Sequence, residues 1–284
     1  MWLTLPFTVG PAISAALADR SPSVQRVDSV GAWLLWGLGL VATLAPSTLT
    51  LTAIRAFGPA ALAAAVAAVI GGASGATAAL AIGFGAAAFV LSLNRVVADR
   101  HVNGSSYGDE LRFLLRTPAP LLLGPIELAV ALMIAGTVAG PMLLAAEQWA
   151  LGAVLTVVGA VVVSGAARSL HGLSRRWLVF VPVGLVVHDH STLIDSLLVQ
   201  RKDVGAISRP PDGDGALDLT GGAAGTRLRI TATAPMSIIL RPPRRPGSGG
   251  PAVEPLDVAA VMIAPVRASA VLASAAARQL PVEA

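Results

Sequence analysis

Residues 121–140, LLLGPIELAVALMIAGTVAG, and 149–167, WALGAVLTVVGAVVVSGAA, decide the fold class of this chain, because together they hold a single charged residue, Glu127. A helix rises about 1.5 Å per residue, so some 20 apolar residues cross a hydrocarbon core about 30 Å thick. Three more apolar blocks precede this pair: Val30–Pro46, Phe57–Ile70 and Ala76–Leu93. Only 13% of the 284 residues are charged, against about 25% in an ordinary soluble domain, and the mean hydropathy is +0.74. The solvent for the first three-fifths of the chain is therefore lipid.

Outward from these blocks the expected order is as follows. Trp2–Leu17 is apolar but broken by Pro6, Gly10 and Pro11, so it reads as a short spanning or half-spanning helix; Met1–Gly10 lacks the basic region of a signal peptide. Asp19–Ser29 reads as a polar connector. Trp33 and Trp36 suit a headgroup boundary. Ser47–Arg55 is a Thr-rich continuation. Phe57–Ile70 and Ala76–Leu93 read as a hairpin of small residues that allow close helix packing, turning at residues 71–75. Asn94–Pro120 reads as a long loop.

From Arg175 onward the long blocks give way to short β-rich runs with turn signals. Expected strands are Trp177–Val183, Leu185–His188, Leu197–Ile207, Ala216–Thr220, Thr226–Thr233, Ser237–Leu240 and Val258–Ala264. In Thr226–Thr233 the apolar Leu228, Ile230 and Ala232 alternate with Arg227, Arg229 and Thr231. Gly221–Gly225 lacks the Lys-Ser/Thr that follows a phosphate loop and reads as a hairpin turn. Arg241–Pro255 is Pro/Gly-rich and reads as disordered. Pro265–Leu280 predicts a terminal helix with Val271, Leu272, Ala275 and Ala276 on one face. The expected division is residues 1–172 as a transmembrane helical domain of five or six helices and 173–284 as a small all-β domain with a C-terminal helix.

Seven strands and a final helix in about 100 residues is the order of a pleckstrin-homology-like barrel, with a small β-sandwich as the competing architecture. The run Arg175-Arg-Trp-Leu-Val-Phe-Val-Pro-Val-Gly184 resembles the entry of bacterial PH-like domains that follow a membrane helix. With Leu5–Ala12, Asn103–Glu110, Trp177–Asp189 and Ala264–Arg267, the chain resembles an uncharacterised actinobacterial multi-pass membrane protein family. The resemblance implies an architecture and no activity.

Charge sets the orientation. A cytoplasmic C-terminal domain puts Arg55, Arg95, Arg100, Arg112, Arg116, Arg168, Arg175 and Arg176 inside, leaving Arg20 and Arg26 outside. In that orientation the sequon Asn103-Gly104-Ser105 faces the cytoplasm. The net charge of +4 comes from such flanking arginines, with no basic–aromatic cluster to engage nucleic acid. The absence of cysteine excludes disulfides, thiolate metal sites and cysteine nucleophiles. No cofactor or enzymatic constellation is expected.

Glu127 is the most informative single residue. If the helix begins at Pro120, the carboxylate lies roughly 10 Å deep and marks a proton or cation path. If it begins after Gly124-Pro125, Glu127 is a first-turn acid favoured by the helix dipole. The polar loop of Asn103, Tyr107, Asp109 and Glu110 is a candidate partner contact that could dock on the β domain. His188-Asp189-His190 has the spacing of a two-imidazole pair on one strand face but is one ligand short of a zinc site, so it reads as a solvated turn. Arg241–Arg245 is a short basic run suited to anionic lipid. These features favour a non-enzymatic membrane scaffold or regulatory subunit, in the cell membrane, that binds another membrane or envelope protein or a second copy of itself. The alternative is a small transporter or channel using Glu127.

Overall fold

The computed structural model describes residues 1–211, 213–242 and 254–283. Most of Arg241–Pro255, including Arg244 and Arg245, lies outside the described residues. The chain forms two compact units, residues 1–104 with 126–171 and residues 105–125 with 172–284.

In the helical unit α1 (Leu5–Ala16) is preceded by a 3-10 turn at Trp2–Thr4 and followed by α2 (Pro22–Leu44), α3 (Thr48–Ile70) and α4 (Gly75–Ser92). Then come α5 (Arg95–Asn103), α6 (Pro125–Ala145) and α7 (Trp149–Ser174). Five of these, α2, α3, α4, α6 and α7, are long and apolar enough to cross a membrane. The protein is thus built as an integral membrane protein with a sheet-rich unit attached.

Several helix boundaries differ from the sequence reading, each for a local reason. The polar connector is helical from Pro22, because Ser21 caps the first turn through Val24 N–H (3.4 Å) and proline at the first position loses no hydrogen bond. The short block Phe57–Ile70 is the end of a 23-residue helix, started by a capping box of Ser47 and Thr50 and continuing through Pro59. The last two blocks form α6 and α7, with small residues in close approach: a Cβ on Gly136 would lie 3.1 Å from the Gly159 carbonyl oxygen. Helix α1, about 18 Å long, is too short to cross. Its Leu5, Val9 and Ala12 are buried against Ala65, Ala68, Ala81 and Ala88. Trp2 and Trp36 hold it in place by reciprocal indole-to-carbonyl hydrogen bonds of 2.8 and 3.1 Å.

The sheet-rich unit has two four-stranded sheets. The first is a meander of β1 (Leu111–Leu114), β2 (Trp177–Val181), β3 (Gly184–His188) and β4 (Leu197–Gln200), all antiparallel neighbours. The second contains β5 (Val204–Ser208), β6 (Leu217–Asp218), β7 (Leu228–Ile238) and β8 (Leu256–Ile263) in the order β5-β7-β8-β6. The two sheets meet where Leu115 bridges Pro265 and Leu193 bridges Leu240. The final helix, α8 (Ala268–Ala277), places Val271 and Ala275 in the shared core with Phe113, Phe180, Leu185, Ile207, Ile230 and Val261.

The central loop is the largest departure from the sequence reading. Residues 94–120 contain α5, capped by the Asn94 side chain on Val96 N–H (2.8 Å), and strand β1. The register Arg112↔Val179 and Leu114↔Trp177 makes β1 the edge neighbour of β2, and Phe113 meets Phe180 edge-on at 5.8 Å. The sheet-rich unit is therefore discontinuous, gaining 105–125 from between α4 and α6. The expected division at 172/173 marks only where its second segment resumes. Paired strands must share one aqueous side, so an even number of crossings separates them, which α6 and α7 provide.

Two strand expectations change as well. Leu197–Ile207 is split by a 3-10 turn at Arg201–Asp203, where a charged run interrupts the pairing. The separate strand expected at Ser237–Leu240 is the far end of β7, which passes through an irregularity between Thr231 and Met236. Gly221, Gly222 and Gly225 have φ of 61°, 73° and 108°, a turn that only glycine adopts readily.

Candidate functional site

The sequence-flagged residues separate. Glu127 lies in the first turn of α6, whose start after Gly124 puts the carboxylate at a helix end rather than in mid-span. The dipole favours an acid there. Asn103 ends α5 and donates to the Asp99 carbonyl (2.9 Å). That helix is seated by His101, whose ring nitrogens meet the carbonyls of Val97 (2.8 Å) and Ala42 (3.1 Å). Tyr107 is 88% exposed. Glu110 pairs with Arg112 at 2.8 Å, a partly exposed contact. Asp109 alone of this set lines a recess.

That recess, of about 360 Å³, is formed by Asp109, the β2–β3 turn (Val181, Pro182, Gly184), Arg201 and the end of α8 (Arg278, Leu280). Local chemistry brings the two arginines together. Gly184 has φ of 153°, and a Cβ there would stand 2.9 Å from the Arg201 amide nitrogen. Its absence lets Arg201 close on the turn and donate its N–H to the Val183 carbonyl (2.8 Å). Arg278 ends α8, its N–H shared between the Ser274 and Ala275 carbonyls (3.2 and 3.1 Å). Gln279 then takes a left-handed φ of 56°, and Leu280 N–H returns to the Ala275 carbonyl (3.0 Å) with its side chain buried. This helix-terminating turn fixes the Arg278 side chain over the Phe180 ring, 5.6 Å from its centroid, with Nη2 donating to the Asp109 carbonyl (3.2 Å). Arg201 Nη2 in turn donates to the Arg278 carbonyl. Among the described residues neither guanidinium forms an ion pair.

The His188-Asp189-His190 motif is not the solvated turn the sequence suggests, because Asp189 is buried. Asp189 turns into the core and takes a two-pronged contact from Arg176: Nε to Oδ1 at 2.8 Å and Nη2 to Oδ2 at 2.7 Å. Arg176 Nη1 also donates to the Arg116 carbonyl (2.8 Å). Burial alone would raise the Asp189 carboxyl, but Arg176 and the Ser191 donors outweigh it and hold it below the usual range. The His188 ring stacks on Trp177 (5.2 Å) and meets His190 edge-on (4.2 Å), and Arg112 lies over the Trp177 ring (5.3 Å). Burial, then the charges of His190, Arg175 and Arg112, push the His188 imidazole down to about 4, despite the opposing pull of Asp189. Among the described residues no group of three or more His, Asp or Glu side chains is placed to hold a metal ion.

Sequence reasoning missed Arg201 and Arg278, which are 77 positions apart. The glycine at 184 marks a turn in the sequence, but no sequence signal brings the end of α8 to it. No protein-family model, curated protein or solved structure matches the chain.

Proposed function

We propose that this is a non-enzymatic membrane scaffold or regulatory subunit whose sheet-rich unit binds another membrane or envelope protein, or a second copy of the chain. The observation that supports it most is the outer face of the first sheet. Leu178, Phe180, Leu185, Val187, Leu197 and Val199 point into the core, so Trp177, Val179, Val181, Val186 and Leu198 lie on the other face, where Val179 is buried. Leu198 is 49% exposed there, and Arg112 stacks on Trp177. An aromatic, aliphatic and arginine surface of this kind suits protein recognition.

The sheet-rich unit is proposed to be a PH-like barrel. A four-stranded antiparallel meander, a second sheet and a final helix contributing to the common core support that reading over a plain sandwich. The arginine distribution supports the cell membrane with the C-terminus cytoplasmic. The transporter reading drew on a carboxylate deep in a span, and Glu127 at the start of α6 leaves it without that support.

The test is affinity purification of the full chain in mild detergent. A second membrane protein in fixed stoichiometry, or a homo-oligomer, is expected, and Trp177→Ala with Leu198→Ser should abolish it. A lone monomer in repeated preparations overturns the proposal. A reporter fused after Ala284 that proves extracytoplasmic overturns the orientation.

A further inference from the structure

We propose that Arg55 is a docking point, within the membrane, for a helix of another membrane protein that carries an Asp or Glu at the matching depth of its span. Arg55 is the only charged residue of α3. Because the capping box starts that helix at Thr48, Arg55 is the eighth residue of a 23-residue span rather than its flank. Its Cα thus lies about 10 Å beyond the helix start. Residues three and four positions away share its face, and of these Leu51, Thr52 and Gly58 are buried. That face therefore turns toward other helices. Thr52 Oγ1 meets His171 Nδ1 of α7 at 3.2 Å, and a Cβ on Gly58 would stand 3.0 Å from the Ala88 carbonyl oxygen of α4. Between these two contacts along α3, Arg55 is half-buried. Among the described residues no carboxylate pairs with its guanidinium and no acceptor takes a hydrogen bond from it.

A charge at this place in a span is costly, and hydrocarbon offers no water to stand in for a partner. Five N–H donors go with the charge. A carboxylate meets both demands, because it neutralises the guanidinium and accepts two of its donors side by side. The spans of this chain carry no carboxylate at that depth. Asp28 is the seventh residue of α2, whose opposite end, Leu44, leads into α3. Glu127 is only the third residue of α6, and α4 and α7 contain no acid. A second copy of the chain therefore offers no match, and the occupant is a different protein. The inference rests on the scaffold reading for the existence of a partner, and adds the chemistry of the span by which that partner is held.

The experiment reconstitutes the full chain in phosphatidylcholine vesicles with a dansyl-labelled Leu/Ala helix of about 20 residues, flanked by lysines and carrying either Glu or Gln at its eighth position. Association is read by energy transfer from the tryptophans of the chain. Wild type should favour the Glu peptide by about tenfold, the size of one interhelical polar contact. Arg55→Gln should remove the preference and Arg55→Lys should keep part of it. Arg95→Gln, at an exposed arginine that opens α5, should leave it unchanged. Thermal melting by circular dichroism in detergent checks each fold. Arg55→Leu should melt no lower than wild type, because no contact within the chain is lost; a clear fall makes Arg55 a structural residue and overturns the proposal. Equal binding of the two peptides overturns it as well. So does a preference that vanishes when phosphatidylglycerol is added, which assigns the guanidinium to lipid headgroups. Failure here is distinct from failure of the scaffold reading: a partner that co-purifies equally with wild type and Arg55→Gln, yet is lost on Trp177→Ala with Leu198→Ser, refutes this inference and leaves that reading standing.

Discussion

Changing Asp189 to Asn removes one unit of charge and almost no volume, and so isolates what the buried ion pair does. Arg176 and Asp189 side chains are 1% and 0% exposed. Arg176 directs three donors, two to Asp189 and one to the Arg116 carbonyl. Asn at 189 leaves the guanidinium charged, buried and without its counter-ion, and sets an amide N–H₂ against an arginine N–H. Removing one partner of such a pair costs about 3–5 kcal/mol. At about 1.4 kcal/mol per factor of ten, this is two to three and a half orders of magnitude in the opening equilibrium of the sheet-rich unit. The assay is native-state amide hydrogen exchange on the full chain in detergent, read at the β2 and β3 amides. The apolar pair Arg176→Met with Asp189→Leu should stay within about tenfold of wild type, because the desolvation cost disappears with both charges. The acid limb has a fixed sign. The folded carboxyl is held below its unfolded value, so its contribution is present at neutral pH and is lost as pH falls below about 3.9 through the folded value. Asp189→Asn removes that limb. Exchange in Asp189→Asn within threefold of wild type would refute the reasoning.

Lowering the pH from about 6.5 to 4 should progressively destabilise the sheet-rich unit, because His188 protonates in the unfolded chain before it does in the fold. His188→Gln should flatten that part of the exchange-against-pH profile. The native chain has no cysteine, so Arg112→Cys with Val179→Cys, cross-strand partners, should cross-link on mild oxidation, whereas Phe113→Cys with Val179→Cys should not. The reverse result on a gel would displace β1 from the register described. Phe113→Ala, which empties a buried site beside Phe180, should lower the stability of the sheet-rich unit by about 3–5 kcal/mol as read by the same exchange measurement. Gly136→Val should lower the melting temperature of the detergent-solubilised protein, since even a Cβ there would meet Val163 at 3.0 Å and the Gly159 carbonyl at 3.1 Å.

The membrane part was legible because lipid imposes one rule, a long apolar run with few charges, and five helices obey it. The errors arose where capping chemistry, rather than hydropathy, sets the boundary. Ser21-Pro22 and Ser47/Thr50 extend helices into segments that read as polar. Strand β1 was not legible. Leu111–Leu114 is four residues long and sits among arginines and prolines, and its partner lies beyond two spans. Its stability comes from Phe113 and Leu115 entering a core that no local pattern announces. The Thr226–Thr233 alternation was legible because one side of β7 is buried and the other is not, with Leu228 and Ile230 in the core. The recess was illegible for the same reason as β1: its arginines meet only after both sheets and α8 have packed. Of the loop residues singled out by polarity, Asp109 alone proved to lie against them, through its backbone carbonyl.

The interrupted sheet also orders the events of folding. Strands β1 and β2 pair residue for residue across about sixty intervening residues. Closing so long a loop from a disordered chain carries an entropic cost that grows as the logarithm of its length. The intervening segment is instead α6 and α7, long apolar helices joined by a short connector. A two-span hairpin returns the chain to the side it left, so insertion of α6–α7 performs the loop closure before the strands meet. The sheet-rich unit then cannot complete its first sheet until α7 has crossed. A chain stopped after Leu114 has β1 but no partner for it, and a segment begun at Gly172 has β2–β4 with the β1 edge open. Supplied alone, such a segment should expose the Trp177–Val181 edge and self-associate, whereas the full chain should not. Size-exclusion chromatography of residues 172–284 with and without an added 105–118 peptide separates the two cases: a monodisperse, peptide-independent fragment would show that β1 is dispensable and that the hairpin does not gate the fold.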